Sequence, residues 1–122
     1  MEKGKLNWVF CDGDLPPKDP TGMQAHESLM ILNLNDEDAV VKATILFEDR
    51  EPEYDIELKV DARRVRCFRL DGIIGDGEKK YQIPFGQYAL HIKSSVPVCA
   101  CFGRLDVRQS NMAYYALSGY AF

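Results

Sequence analysis

Three charged side chains, Arg104, Asp106 and Arg108, stand at alternate positions in the run Val96–Gln109. In an extended strand alternate residues share a face and lie about 6.5–7 Å apart, so two guanidinium groups would flank the carboxylate. A guanidinium presents a planar fork of donors that matches carboxylates, phosphates and polyols. The pattern predicts a ligand site or a subunit contact, and its alternative is a solvated charge ladder that contributes little energy.

The opposite face of this strand carries Leu105 and Val107. The run before them is nearly all apolar, which is typical of a strand covered on both faces. We therefore expect residues 104–108 to be extended, with Leu105 and Val107 buried.

Composition limits the class of protein. The chain has 122 residues, 46% of them hydrophobic and 28% charged, which is ordinary for a soluble protein, and we expect residues 1–122 to form one domain. A net charge of −4 makes nucleic acid an unlikely general partner. The sequence has no apolar run long enough to span a membrane and no secretory signal, so we expect a cytoplasmic location.

Cysteines and histidines give no sign of a metal or catalytic centre. Cys11, Cys67, Cys99 and Cys101 are irregularly spaced, and we expect them to be reduced, mostly buried and not metal ligands. The nucleophile, zinc-protease, P-loop and dinucleotide motifs are all absent from the sequence. We expect no catalytic residue, no cofactor and no enzymatic activity.

Alternating apolar and polar residues recur in short stretches, and no stretch has sustained helical periodicity. About eight strands at short spacing favour an all-β, antiparallel β-sandwich or barrel. The predicted strands include Leu6–Cys11, Tyr54–Val60, Arg64–Leu70, Gln87–Lys93 and the run from Val96.

Three connections complete this outline. Residues 28–48 read as two strands joined by the Asn35–Asp38 turn, which predicts a hairpin. Residues 12–27 contain three prolines and two glycines, which predicts a long loop. The aromatic tail, residues 110–122, fits either a strand or a short helix.

A second basic cluster consists of Arg63, Arg64, Arg66 and Arg69. It could contact an anion or phosphate, and nucleic-acid binding through it is a third, low-ranked hypothesis. The alternative is that about half of it pairs with the abundant Asp and Glu residues.

Short motifs in order along nearly the whole chain make the sequence resemble the soluble sensory rhodopsin transducer family. They are Asp14-Leu15-Pro16-Pro17, His26-Glu27, Ile31-Leu32-Asn33, Asp36-Glu37-Asp38-Ala39, Asp49 with Pro52, Ala62-Arg63-Arg64, Val96-Pro97, Arg104-Leu105-Asp106, Arg108-Gln109 and Tyr120-Ala121. The sequence departs from the family pattern where Cys67 replaces a histidine and where Cys101, Phe102 and Gly103 replace polar residues.

The resemblance implies a jelly-roll-like β-sandwich that assembles as a homotetramer and has a signalling role. The wider family implies a small-molecule ligand, with carbohydrates suggested, and the transducers imply docking on a membrane photoreceptor as the alternative. We expect Arg104, Asp106 and Arg108 to hold the ligand.

Secondary candidates for the ligand site are Arg64, His26, Glu27 and Trp8. Trp and Arg suit sugars, because an aromatic face packs on the apolar face of the ring and a guanidinium binds its hydroxyls. His26 and Glu27 are neighbours, so in an extended segment they cannot both point into one pocket.

Overall fold

The computed structural model describes residues 3–17, 24–107 and 113–122, so the predicted site residue Arg108 lies outside the described residues. The described residues form ten strands and no helix, which leaves no helix that could cross a membrane there. The strands are β1 (Lys5–Leu15), β2 (His26–Asn33), β3 (Ala39–Leu46), β4 (Glu53–Val60), β5 (Arg64–Arg69), β6 (Ile73–Ile74), β7 (Tyr81–Gln82), β8 (Gly86–Asp106), β9 (Ala113–Leu117) and β10 (Tyr120–Ala121).

All pairings among these strands are antiparallel, and they form two layers that share β8. The first half of β8 pairs with β1 and β3, to which β10 and β4 add; the second half pairs with β2 and β9, and β2 pairs with β5. β6 and β7 pair only with each other. The predicted all-β antiparallel sandwich is confirmed.

The long strand β8 supplies the corner between the layers. Its residues pair with layer one as far as Val98 and with layer two from Cys99 onward. Residues 87–93 and the run from Val96 are therefore one strand, where the sequence predicted two. Fully extended, its 21 residues would span about 70 Å, but Tyr88 near its start and Arg104 near its end both bind Glu27, so β8 bends back and its two ends meet.

The core lies between the inner faces of the two layers. Phe10 of layer one and Phe102 of layer two stack with their ring centroids 5.6 Å apart. Alternate residues of the central strands β2, β3 and β8 are buried here, among them Ile31, Ile45 and Ile92. The period-two pattern of the sequence identifies these inward positions, because burial of one face is what fixes the register of a strand.

The predicted hairpin over residues 28–48 is wrong. β2 pairs with β5 and β8, and β3 pairs with β4 and β8, so the Asn35–Asp38 segment crosses from one layer to the other. The buried Asn33 side chain stabilises this crossing, since its amide donates to Glu37 O (2.9 Å) and Val60 O (3.2 Å). Turn residues alone do not distinguish a hairpin from such a crossover.

The predicted burial of Leu105 and Val107 is also wrong, because both are half-buried. On β8 the buried Phe102 lies on the same face of the strand as Arg104 and Asp106. The two charged side chains therefore lie on the inner face of the sheet. The alternating pattern correctly separated Arg104 and Asp106 from Leu105 and Val107, but the prediction placed the wrong pair on the inner face. Residues 104–106 are extended, as predicted.

The four cysteines form no disulfide in this structure, and the prediction that they are mostly buried is wrong. Cys11, Cys67 and Cys101 are exposed, and Cys99 is half-buried. Cys67, Cys99 and Cys101 lie on the outer face of layer two. The apolar run of this strand therefore supplies side chains to the outer face as well as to the core.

The ends of the predicted loop and the tail are strands. β1 continues to Leu15, past the predicted loop start at Asp12, because Gly13 pairs with Tyr88 and its missing side chain makes room for the Tyr88 ring. In the tail, β9 joins the edge of β8 and β10 joins β1. The strand alternative for the tail is therefore the correct one for its described residues.

We predict that Asn33→Ala lowers the free energy of unfolding by about 1–3 kcal/mol, because it leaves the buried Val60 carbonyl without its donor. Urea unfolding followed by circular dichroism measures this. Gln87→Ala, an exposed position on β8, is the control and should change stability by less than about 0.5 kcal/mol. An equal effect of the two substitutions would contradict the role given to Asn33.

Candidate functional site

A cavity of about 290 Å³ opens at the end of the sandwich where the two ends of β8 meet. It brings together Arg104, Asp106, His26 and Glu27, four of the residues singled out in the sequence. The complete lining is Asp14, Leu15, Pro16, Pro17, Ala25, His26, Glu27, Phe85, Gly86, Arg104 and Asp106.

The base of the cavity is the carboxylate of Glu27, which is completely buried. Its Oε1 accepts a hydrogen bond from the Tyr88 hydroxyl (2.7 Å), and both oxygens lie within 3.1 Å of the backbone N–H of Asp14. Its Oε2 accepts from Nε and Nη2 of Arg104, both at 2.8 Å. A buried charge is tolerated only when it is paired and hydrogen-bonded in this way.

The guanidinium of Arg104 is fixed on two sides. Besides the two bonds to Glu27, its Nη2 donates to the backbone carbonyl of Asp12, and Nη1 lies 3.8 Å from the Asp12 carboxylate. The side chain is only 12% exposed. The sequence predicted Asp106 as the partner of this fork; it did not predict Glu27 and Asp12, which the structure places against it.

Tyr88 completes the network from the other end of β8. Burial, together with the charge of Glu27 and the hydrogen bond to it, raises the pKa of the Tyr88 hydroxyl far above its usual value. The phenol therefore stays protonated and donates to Glu27 over the physiological pH range. Glu27, Tyr88 and Arg104 join β2 to both ends of β8.

His26 and Asp106 line the mouth of the cavity rather than its base. His26 begins β2, is half-buried, and has its Nδ1 3.4 Å from the carbonyl of Gln24. Glu27, the next residue, points inward, as expected for neighbours on a strand. Asp106 is the last residue of β8 and lies on the same inner face as Arg104.

Trp8 and Arg64, the remaining secondary candidates, do not line this cavity. The indole of Trp8 packs against the core, and its Nε1 donates to the carbonyl of Val98 at 2.9 Å. Arg64 lies at the start of β5, opposite Asn33, at the other end of β2 from His26. Both residues have the right chemistry for a ligand site but the wrong position for this one.

The basic cluster of β5 is largely neutralised. Arg66 forms a two-pronged pair with Asp76 (2.6 and 2.9 Å), and Arg69 forms one with Asp71 (2.8 and 2.9 Å). These pairs lower the pKa of Asp76 and, against the opposing effect of burial, that of Asp71. Arg63 lies 3.7 Å from Asp36. This pairing favours the structural interpretation of the cluster over a nucleic-acid contact.

Several residues of the site were not found from the sequence, among them the cavity-lining Phe85 and Gly86 and the Glu27 partner Tyr88. Tyr88 reads as an ordinary inward strand residue, and Phe85 and Gly86 read as part of a loop. The one available signal was the aromatic residue beside a Pro and a Gly, which is common in exposed turns. Among the described residues, no three His, Cys, Asp or Glu side chains are placed to hold a metal ion.

A two-layer β-sandwich with a charged cavity between its layers defines the structural class, and comparisons identify the family. The family model of the Anabaena sensory rhodopsin transducer matches residues 3–121, so the chain belongs to that family. A search of curated proteins finds no match.

Two solved structures are similar over nearly the whole chain. The crystal structure of Thermotoga maritima 1070 is 30% identical, with a TM-score of 0.80, and the match covers 100% of this chain and 97% of that one. The Anabaena sensory rhodopsin transducer is 34% identical, with a TM-score of 0.71, over 91% of this chain and 98% of the other.

We predict that Arg104→Ala destabilises the protein by about 3–5 kcal/mol, because it strips the buried Glu27 carboxylate of its cationic partner. Chemical unfolding at neutral pH measures the loss. The matched control is Arg50→Ala, which removes a guanidinium paired with Asp49 on the surface and should have a far smaller effect on stability. Similar costs for the two variants would show that Glu27 does not depend on Arg104.

Proposed function

We propose that this chain is a non-enzymatic, cytoplasmic signalling module that binds a small, polar, carbohydrate-like ligand in the cavity at the end of the sandwich. The observation that carries the proposal is the Glu27–Arg104–Tyr88 network at its base. Charged groups that are already fixed lose little side-chain entropy when a ligand binds. A concave site with a few convergent polar groups is the usual form of a small-molecule site.

The chemistry of the lining supports a polyol rather than a purely apolar or a strongly anionic ligand. At the mouth Asp106 can accept hydrogen bonds and His26 can accept or donate them, while Leu15, Pro16 and Phe85 supply apolar surface. Sugars present hydroxyls at their edges and C–H groups on their faces, so they match such a mixed lining. The positive charge of Arg104 is largely satisfied by Glu27, which disfavours a site built only for anions.

The proposal includes a homotetramer, which the outer face of layer two supports. Two rows of apolar or thiol side chains cross this face, Cys67–Met30–Cys101 and Val65–Leu32–Cys99. Val65 is 65% exposed, and Tyr114 beside this face is 59% exposed. A contiguous apolar patch of this kind is typical of a subunit interface.

Docking on a membrane receptor is the second candidate function. The observation that favours it is membership of the family together with the 34% identical relative, which by its printed name is a transducer for a sensory rhodopsin. The two candidates are compatible only if the receptor surface leaves the cavity open, and binding measurements separate them.

We predict that calorimetric titration with a panel of glucose, galactose, maltose, cellobiose, lactose, phosphate and sulfate detects binding of at least one sugar, and that both anions bind more weakly than that sugar. Asp106→Ala should weaken sugar binding by about 1.5–3 kcal/mol, because a charged hydrogen bond at the cavity mouth is lost. Asp49→Ala, an exposed aspartate paired with a neighbouring arginine, is the control and should leave affinity unchanged.

Absence of binding to the whole panel would contradict the ligand-binding proposal. If the protein then co-sediments with membranes that contain a sensory rhodopsin, receptor docking replaces it.

We predict that the protein has four times its chain mass of 13.9 kDa in light scattering at micromolar concentration. Val65→Glu should dissociate it, since a buried unpaired charge in an apolar interface is costly. Ile73→Glu, at a residue 70% exposed on β6, is the control and should leave the mass unchanged. A monomeric wild-type protein, or dissociation by Ile73→Glu alone, would contradict the proposed tetramer interface on the outer face of layer two.

A further inference from the structure

Phe85 is a large aromatic residue that the fold leaves outside the core. It is 70% exposed, in contrast to Phe10, Phe68 and Phe102, which are buried. It lies between Pro84 and Gly86, and Gly86 begins β8 with a φ of 107°, a conformation that side-chain-bearing residues rarely adopt. Pro84 therefore restricts the backbone before Phe85, and Gly86 permits the turn that follows it.

Phe85 also lines a second cavity, of about 450 Å³, that adjoins the first. Four residues line both cavities, Leu15, Pro16, Ala25 and Phe85, so the two are lobes of one groove that share an apolar wall. The first lobe alone is at the lower end of the usual volume of ligand pockets, about 300–1,000 Å³, and the second lobe brings the groove well into that range.

Each lobe contains a carboxylate that an arginine holds in place. In the first lobe Arg104 donates twice to Glu27, and in the second Arg69 donates twice to Asp71. Asp71 is about one quarter exposed, so it can still accept hydrogen bonds from a ligand. Gln24 and Gln82 add amide groups to the second lobe. The groove thus has a polar end on each side of an exposed aromatic ring.

We propose that Phe85 is the stacking platform of a two-lobe groove and that its ligand is a disaccharide or longer glycan, one sugar ring of which lies in each lobe. A pyranose ring has an apolar C–H face that packs on an aromatic ring, while its hydroxyls project toward hydrogen-bonding groups. This inference rests on the proposed function and specifies the class of its ligand.

The test compares the disaccharides maltose, cellobiose and lactose with the monosaccharides glucose and galactose by calorimetric titration of the full chain. The wild type should bind its best disaccharide at least about tenfold more tightly than either monosaccharide, the effect expected of one more stacked ring. Phe85→Ala should remove that advantage, and Phe85→Tyr should keep it. Ile73→Ala, an equally exposed apolar residue outside both lobes, is the control and should change nothing.

Asp71→Asn provides an independent measurement in the second lobe. It should weaken disaccharide binding while leaving monosaccharide binding unchanged, and it remains informative if Phe85→Ala does not fold. Equal affinity for mono- and disaccharides, or an equal loss of both in Phe85→Ala, overturns the two-lobe inference and leaves the proposed ligand site standing. Absence of binding to every sugar overturns the proposed carbohydrate function as well.

Discussion

The fold depends on one buried carboxylate. Glu27 is completely inaccessible to water, and its ionised form is tolerated only with its partners from β1 and from both ends of β8 in place. Those partners belong to different layers, so the sandwich must close at this end in a single register. The same closure brings the first and last residues of β8 together, which is what creates the cavity. Stability and the candidate site therefore rest on the same interaction.

The strands and their antiparallel arrangement could be predicted from the sequence, because one-sided burial produces period-two alternation. Short-range spacing also predicted that Arg104 and Asp106 share one face of a strand and that the neighbours His26 and Glu27 point in different directions. What alternation cannot supply is which face is inside. Arg104 lies on the inner face because its partner Glu27 is 77 residues away in sequence, and no local pattern reports a contact of that range. Without that contact, Leu105 and Val107 are the apolar choice for the inner face, which is why the sequence placed them there.

The other differences between sequence and structure have equally specific causes. The Asn35–Asp38 segment has hairpin composition, but the side chain of Asn33 binds backbone carbonyls of a distant strand and directs the chain across the sandwich. Cys67 and Cys101 read as core residues because thiols are usually buried, yet they form part of an apolar outer face. An apolar position on the outer face of a sheet has the same local sequence pattern as one in the core, so the pattern alone does not separate the two.

The residues of the groove form two sets, a buried network and a group nearer the solvent. Glu27, Tyr88 and the Nε edge of Arg104 are committed to one another, so they set the shape and polarity of the base rather than select among ligands. In the proposed function, the groups that would discriminate among ligands are those nearer the solvent, which are Asp106, His26, Asp71 and the ring of Phe85. A relative could keep the first set and exchange the second without losing the fold. This is the arrangement expected where one scaffold serves different ligands, because the residues that stabilise it are separate from those that discriminate.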